Sequence, residues 1–292
     1  MIKANYHTLS TFCDGADTIA AMVESAVSKE FDHLGFSAHA PLLKRMYDFL
    51  IAEDEIPLYV KEIEETQQKH PEITLWKGLE CDFIPEGNKP FQYFKKQYEL
   101  DFIIGGIHLV KPPHIEELWF IDGPNRQIFD DGLSLFFSGD IKKAVTQFWE
   151  QTFEMIETES FDMIAHLDKV KMHNQKRFFT EEEDWYLQLV NHALALVKQK
   201  NLILEINSRG IYKGRCPDFY PSDYILQQAA KKGIPCVISA DAHKKDDIGQ
   251  LYQESIDKLK SFGITELMVL CDNGWEYNAI NESFTSPNHS EN

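Results

Sequence analysis

The sequence lacks any run of about 18 apolar residues, which is the length that a membrane-spanning helix requires. Its opening stretch, MIKANYHTLS, also lacks the apolar core of a secretory signal peptide. Hydrophobic residues nevertheless account for 43% of the 292 residues, which is enough to build a large buried core. We therefore expect a cytoplasmic protein that has no membrane partner.

Positive charge is scarce, because the chain has 29 lysines and arginines against 47 aspartates and glutamates, for a formal net charge of -18. Proteins that bind the nucleic-acid backbone usually present a basic face, so this composition argues against a nucleic-acid partner. Most of the acidic excess is typical of a solvated surface. Acids that cluster with histidines, however, are also suited to holding divalent cations.

Cysteine is scarce as well. The five cysteines are scattered, odd in number and never spaced as CxxC, which argues against a disulfide framework and a structural zinc knuckle. We expect reduced and mostly buried thiols at Cys13, Cys81, Cys216, Cys236 and Cys271.

Short apolar runs alternate with amphipathic helical patterns along most of the chain, which is typical of an α/β fold with parallel strands. The strand candidates are IKANY, HLGFSA, TLWKGL, DFIIGGI, FDMIA, NLILEI and PCVISA. A later apolar run, ELMVLCD, is a candidate for an eighth strand.

Helical patterns fill the spaces between these runs. TIAAMVESAVSK follows the first strand candidate, with Asp17 or Thr18 as its N-cap, and SDYILQQAAKKG ends at Gly233. Nothing in the composition marks an internal linker. We therefore expect one domain over residues 1–280, followed by a flexible polar tail over residues 281–292.

Each strand candidate runs into a polar residue at its carboxyl end. These residues are His7, His39, Glu80, His108, His166, Asn207 and the pair Asp241 and His243. Parallel strands that close into a barrel send their carboxyl ends to one face, where such barrels carry their active sites. A single histidine at a strand end is more often structural, so only the whole ordered series indicates a site. The series predicts one site to which seven strand ends contribute.

The predicted site contains five imidazoles and three carboxylates: His7, Asp14, His39, Glu80, His108, His166, Asp241 and His243. Such donors, without thiolates, suit zinc, manganese or iron. Eight donors exceed the needs of one ion, so we expect two or three divalent ions, with Glu80 or Asp241 as a bridge. Ions about 3.5–4 Å apart can activate water and stabilise both ends of an in-line displacement. This chemistry indicates a hydrolase that acts on a small phosphate ester.

The ordered motifs YHTLSTFCDG, GFSAHAP, GLECD, GGIH, AHLD and SADAH resemble those of the PHP (polymerase and histidinol phosphatase) superfamily, within it the histidinol-phosphate phosphatases. The matches extend from residue 7 to residue 243. The resemblance implies a distorted (β/α)7 barrel with a metal cluster at the carboxyl ends of its strands. It also implies hydrolysis of L-histidinol phosphate to L-histidinol and phosphate, a step of histidine biosynthesis.

Many members of this superfamily hold three ions. Carried onto this chain, the resemblance implies three ligand sets: His7, Glu80 and Asp241; Glu80, His108 and His166; and Asp14, His39 and His243. It further implies that a metal-bound hydroxide, held beside His7, Glu80, Asp241 and His166, attacks phosphorus. The metal ions would stabilise the charge of the transferring phosphoryl group.

Leu9 departs from the superfamily pattern, whose opening motif is His-x-His. Leucine cannot ligate a metal ion, so the ligand set that contains His7 loses one donor. Three interpretations are open. The site works with two tight ions and one loose ion, or it binds ions but catalyses slowly, or Leu9 is a natural or engineered substitution that disables the enzyme.

A phosphate dianion needs a fixed cation, and arginine can bind it with two parallel hydrogen bonds. The segment NSRGIYKGR follows the sixth strand candidate and contains Arg209, Lys213 and Arg215, among which Arg209 is the leading candidate. The alternative is a surface arginine that pairs with an acid or caps a helix. Lys44 and Arg45, after His39, are secondary candidates.

Two rival functions follow from the same residues. The first is a phosphatase of this superfamily that acts on another phosphate ester. The second is a metal-binding protein with little or no catalysis, which Leu9 alone motivates because the other eight predicted ligand positions are intact. The sequence carries no signal for the oligomeric state.

Overall fold

The computed structural model of this protein describes residues 1–43 and 47–280. Two expectations lie outside the described residues, namely the cations Lys44 and Arg45 and the tail over residues 281–292. The strands of the described residues are β1 (Ala4–Asn5), β2 (His33–His39), β3 (Thr74–Asp82), β4 (Phe102–Gly106), β5 (Leu109–Val110), β6 (Trp119–Phe120), β7 (Met163–Ile164), β8 (Ile203–Asn207), β9 (Cys236–Ser239), β10 (Glu266–Cys271) and β11 (Gly274–Ala279).

Seven of these strands form one parallel sheet in the order β1-β2-β3-β4-β7-β8-β9. The two outer strands meet just beyond their ends, where Thr8 forms a parallel bridge with Ala242. The Leu9 amide donates a 2.9 Å hydrogen bond to the Ala242 carbonyl, and the Ala242 amide donates a 3.1 Å bond to the His7 carbonyl. The sheet is therefore a nearly closed barrel, which confirms the expected (β/α)7 architecture.

Helices connect successive barrel strands, and their apolar faces share one core with the outward side chains of the sheet. They are α1 (Ile19–Ser28), α2 (Ile56–Lys69), α3 (Phe91–Gln97), α4 (Arg126–Phe137), α5 (Ile141–Thr158), α6 (Asp184–Gln199), α7 (Arg209–Tyr212), α8 (Asp223–Lys232) and α9 (Tyr252–Ser261). As predicted, Thr18 caps α1 and Gly233, with a φ of 59°, ends α8. No helix within the described ranges is both long and apolar enough to cross a membrane.

The candidate for an eighth strand, ELMVLCD, does not join the barrel. It forms β10, which pairs with β11 in an antiparallel hairpin. Met268 and Leu270 pack against Tyr6 and Phe102 inside the barrel, and the Leu270 amide donates a 2.8 Å hydrogen bond to the Tyr6 hydroxyl. The pairing of Thr8 with Ala242 closes the barrel after seven strands, so the hairpin instead packs on the apolar interior.

Phe102 fills the barrel interior, and glycine on the neighbouring strand makes room for its ring. A Cβ atom added at Gly78 would lie 2.5 Å from the ring, which is far inside van der Waals contact. Phe102 itself is completely buried. The glycine on β3 therefore sets the size of the side chain that the layer beneath the site can hold.

Candidate metal centre

The eight side chains predicted as metal ligands meet at the carboxyl ends of the barrel strands. His39 and Glu80 stand opposite each other in the register of β2 and β3. His7, His108 and His166 follow the ends of β1, β4 and β7. Because all barrel strands are parallel, these ends share one rim, and residues that are distant in sequence converge there.

Glu80 lies at the centre of the cluster, and each of its oxygens faces two imidazoles. Glu80 Oε2 lies 2.9 Å from His7 Nε2 and 3.2 Å from His39 Nδ1. Glu80 Oε1 lies 3.0 Å from His166 Nε2 and 3.4 Å from His108 Nε2. Only 1% of the side chain is exposed. A single buried carboxylate therefore links four predicted ligands.

The remaining predicted ligands lie on the outer side of this group. His243 Nε2 is 3.2 Å from Asp14 Oδ2, and His39 Nε2 is 3.8 Å from Asp14 Oδ1. His243 also approaches Asp241, with Nδ1 3.3 Å from Oδ1. Asp14 is the most exposed member of the set, since 36% of its side chain is open to solvent. The cluster thus extends from the buried barrel interior to the surface.

Two buried carboxyls at this rim, those of Glu80 and Asp241, are held in the anionic form. Burial would raise the pKa of Glu80, but the surrounding imidazoles, led by that of His7, keep this pKa well below its ordinary value. Burial would likewise raise the pKa of Asp241, but His7 and Arg209 keep it well below its ordinary value. Carboxylates bind metal ions only when they are deprotonated, so both residues are in the competent state.

The donor set fits a divalent metal ion. Three groups of ligand atoms each lie within 4.8 Å of one another: His7, Glu80 and His166; His39, Glu80 and His108; and Asp14, His39 and His243. Among the described residues, Asp122 Oδ1 has no hydrogen-bond partner, and His39 Nδ1 lies 3.2 Å from Glu80 Oε2 without the geometry of a hydrogen bond, although both atoms are buried. Buried polar atoms normally have partners, so free lone pairs in this cluster are consistent with metal binding.

These groups agree in part with the ligand sets that the resemblance implied. The outer set of Asp14, His39 and His243 is brought together as expected. The inner groups have a different composition, because His7 falls with Glu80 and His166, His108 falls with His39 and Glu80, and Asp241 falls in none of the three groups. The distance from His7 Nε2 to Asp241 Oδ1 is 3.8 Å. The assignment of each residue to an ion stays a prediction.

Glu205 belongs to the site, although sequence reasoning did not select it. Its Oε1 atom lies 2.6 Å from His7 Nδ1, and its Oε2 atom accepts a 2.7 Å hydrogen bond from the His166 amide. Asn207 Nδ2 donates to the same oxygen at 3.1 Å. The available signal was an acidic residue inside the apolar run NLILEI. Such a carboxylate orients a ligand histidine by engaging its second ring nitrogen.

Lys169 and Asp122 were also not selected from the sequence. Lys169 Nζ lies 3.2 Å from Asp122 Oδ2 and 3.6 Å from Asp241 Oδ2. Burial would lower the pKa of Lys169, but Asp122 and Asp241 outweigh burial and raise it. A charged ammonium therefore lies among the predicted metal ligands.

The three cations proposed for substrate binding have different positions. Arg209 Nη1 donates a 2.8 Å hydrogen bond to the Asp241 carbonyl and lies 2.6 Å from His243 Nδ1. Lys213 pairs with Asp247 at 2.9 Å. Arg209 and Arg215 line the pocket above the cluster, whereas Lys213 does not. The role of Arg209 in substrate binding stays a prediction.

A pocket of about 270 Å³ opens over the cluster. Its lining includes three cations, which are Lys169, Arg209 and Arg215. It also includes Phe49 and Phe120, whose rings stack with centroids 5.8 Å apart. The pocket therefore offers positive charge for an anion together with flat apolar surface for an organic group.

Leu9 is completely buried beside the cluster. Its amide bonds to the carbonyl of Ala242, which lies between Asp241 and His243 in the chain. The backbone at position 9 is thus placed next to two predicted ligands. The leucine side chain contributes no donor atom there.

A family model described as PHP domain matches residues 5–209 of this chain. The histidinol-phosphatase of Bacillus subtilis is 23% identical over 273 residues, which cover 88% of this chain and 100% of that protein. A protein of Deinococcus radiodurans named probable histidinol-phosphatase is 25% identical over 243 residues, with 82% of this chain and 85% of that protein covered.

Among solved structures, the fold resembles that of a histidinol phosphate phosphatase from Lactococcus lactis, complexed with zinc, L-histidinol and phosphate. The two chains are 18% identical with a TM-score of 0.68, and the match covers 94% of this chain and 98% of that chain. At this level of identity the likeness concerns the fold, and it agrees with the seven-stranded barrel described above.

Proposed function

Because the chain belongs to the PHP domain family, we propose that it is a metal-dependent phosphoric monoester hydrolase that converts L-histidinol phosphate to L-histidinol and phosphate. The observation that carries the proposal is the convergence of imidazoles and carboxylates on Glu80 beneath an open pocket. Two divalent ions, or three, bound by these residues would activate water and neutralise the charge of the phosphoryl group.

The residues around the cluster have distinct tasks in this proposal. Glu80 supplies the shared negative charge, and Glu205 orients His7 so that Nε2 faces the cluster. Arg215 and Arg209 bind the phosphate dianion from the pocket wall. Bidentate binding by arginine would hold the ester in one orientation, which lowers the entropic part of the barrier.

Two observations support L-histidinol phosphate as the substrate. The stacked rings of Phe49 and Phe120 offer a flat surface that suits an imidazole ring. The relatives from Bacillus subtilis and Deinococcus radiodurans are named as histidinol-phosphatases, and each is matched over most of its length. We therefore place the phosphate over the metal cluster and the imidazole against the aromatic rings.

Phosphate release from a panel of monoesters tests this proposal. The purified chain is supplied with zinc, manganese or iron and assayed with L-histidinol phosphate, glycerol phosphate and phosphotyrosine. We expect the highest kcat/KM for L-histidinol phosphate. Rapid turnover of a different ester alone would replace the substrate assignment, and background rates with every metal would favour the metal-binding protein without catalysis.

A pair of histidine variants provides the control. His166→Asn removes a predicted ligand that lies 3.0 Å from Glu80, and we expect the rate to fall by at least about 100-fold. His70→Asn removes a histidine that pairs with Glu72 at the opposite end of the barrel, and we expect an unchanged rate. Equal rates for the two variants would contradict the assignment of the cluster as the active site.

A further inference from the structure

Asp241 and Asp122 share one buried lysine. Lys169 Nζ lies 3.6 Å from Asp241 Oδ2 and 3.2 Å from Asp122 Oδ2, and only 6% of the lysine side chain is exposed. Lys169 lies in a short 3-10 turn that follows His166, so its backbone is tied to the rim of the barrel. The ammonium is therefore a fixed positive charge at the floor of the pocket.

An ammonium at this position competes with a metal ion. Carboxylate oxygens bind zinc at about 2.0–2.2 Å, so an ion on Asp241 Oδ2 that faced Lys169 would lie against Nζ. Two cations in such contact repel each other strongly in a buried site. Asp241 is also absent from all three compact donor groups found among the described residues. The groups that approach Asp241 Oδ2 are the Lys169 ammonium, at 3.6 Å, and the Asn207 side-chain amide, at 3.2 Å.

The remaining donors are sufficient for two ions. His39 belongs both to the group with Glu80 and His108 and to the group with Asp14 and His243. A neutral imidazole has one lone pair for one ion, so these two groups cannot both be completed by His39. Glu80 has two oxygens and can serve the inner ion, while Asp14, His39 and His243 serve the outer ion.

We infer that the Lys169 ammonium takes the place of a third divalent ion in this site, so that the chain binds two ions. Leu9 also disfavours a third ion. It supplies no ligand atom on the segment that pairs with Ala242, which is next to Asp241 in the chain. The lysine supplies a positive charge that Asp241 and Asp122 share, and this needs no ligand from position 9. The inference rests on the metal dependence in the proposed function and goes beyond it.

Metal content per chain tests the inference without reference to activity. The proteins are loaded with zinc or manganese, dialysed and measured by elemental analysis: wild type, Leu9→His, Lys169→Met and the double variant. We expect two ions per chain in the wild type and in each single variant. The double variant should bind a third ion, because only then is the ammonium removed and a ligand restored.

Lys213→Met is the matched control, since it also removes a lysine that pairs with an aspartate, here Asp247 at 2.9 Å, but outside the pocket. We expect two ions in this variant, alone or combined with Leu9→His. Three ions in the wild type or in Leu9→His would overturn the inference, as would two ions in a folded double variant or fewer than two in the wild type. Three ions in Lys169→Met alone would support the displacement of an ion by the ammonium and would show that position 9 is not needed for the third site.

Two further measurements keep the outcome decisive. Circular dichroism checks that each variant is folded. If the double variant does not fold, anomalous scattering from wild-type crystals counts the ions and shows whether any lies between Lys169 and Asp241. The result is separable from the proposed function: two ions without phosphatase activity would refute the function alone, and an active enzyme with three ions would refute the inference alone.

Discussion

Glu205 and His7 form a buried pair in which Glu205 Oε1 lies 2.6 Å from His7 Nδ1. The second oxygen of Glu205 accepts a hydrogen bond from the His166 amide. One carboxylate therefore holds two neighbouring strand ends at the rim of the barrel. Because Nδ1 is engaged, Nε2 is the nitrogen that His7 presents to Glu80, at 2.9 Å.

Glu205→Gln tests this orienting role, since it keeps the size of the side chain and removes its negative charge. We expect zinc affinity to fall about 10- to 100-fold, because His7 loses the charged partner that fixes its ring. Competition with a chelating dye measures the affinity. Glu64→Gln, which alters an exposed pair with Lys77, is the control and should leave it unchanged. Equal affinities in both variants would show that Glu205 does not orient a ligand.

Arg215→Ala removes a cation from the pocket wall without touching a predicted metal ligand. We expect KM for L-histidinol phosphate to rise about 10- to 100-fold, because a hydrogen bond to a charged group contributes about 1.5–3 kcal/mol. Bound metal should stay unchanged. Arg177→Ala is the matched control, since this arginine pairs with Asp130 on the surface. A KM effect no larger than that of the control would remove Arg215 from the site.

Gly78→Ala places a methyl group 2.5 Å from the Phe102 ring. We expect the free energy of unfolding to fall by about 1–3 kcal/mol, because the barrel interior has no space for the added atom. Urea denaturation followed by circular dichroism measures the change. Adding Phe102→Leu should restore part of the loss by shortening the opposing side chain. A neutral effect of the single substitution would mean that the layer is loosely packed.

Lys171→Met leaves Asp168 without its charged partner in the buried turn that follows β7. The two side chains are 2.9 Å apart and almost completely buried. We expect a loss of about 3–5 kcal/mol in the free energy of unfolding, because an unpaired buried charge remains. Lys95→Met removes a more exposed partner of Asp162 and should cost less than about 1 kcal/mol. Similar losses in thermal or urea unfolding would contradict this difference.

The barrel could be predicted because its signals are local. Alternating apolar runs and helical patterns depend on neighbouring residues, so the strand that ends at His39 and the helix that ends at Gly233 could be predicted. The hairpin of β10 and β11 could not be predicted, because ELMVLCD has the same composition as a barrel strand. Its position depends on whether the sheet is already closed, and the pairing of Thr8 with Ala242 decides this.

The sequence by itself determined which polar residues follow the strands, and parallel strands then bring those residues to one rim. It also showed that Leu9 breaks the pattern of the family. Only the tertiary structure decided which groups face each other. Glu205 and Lys169 looked like ordinary charged residues, because the partners that give them a role, His7 and Asp241, are distant in the chain. Electrostatic interactions act through space, so their pairing required the closed barrel.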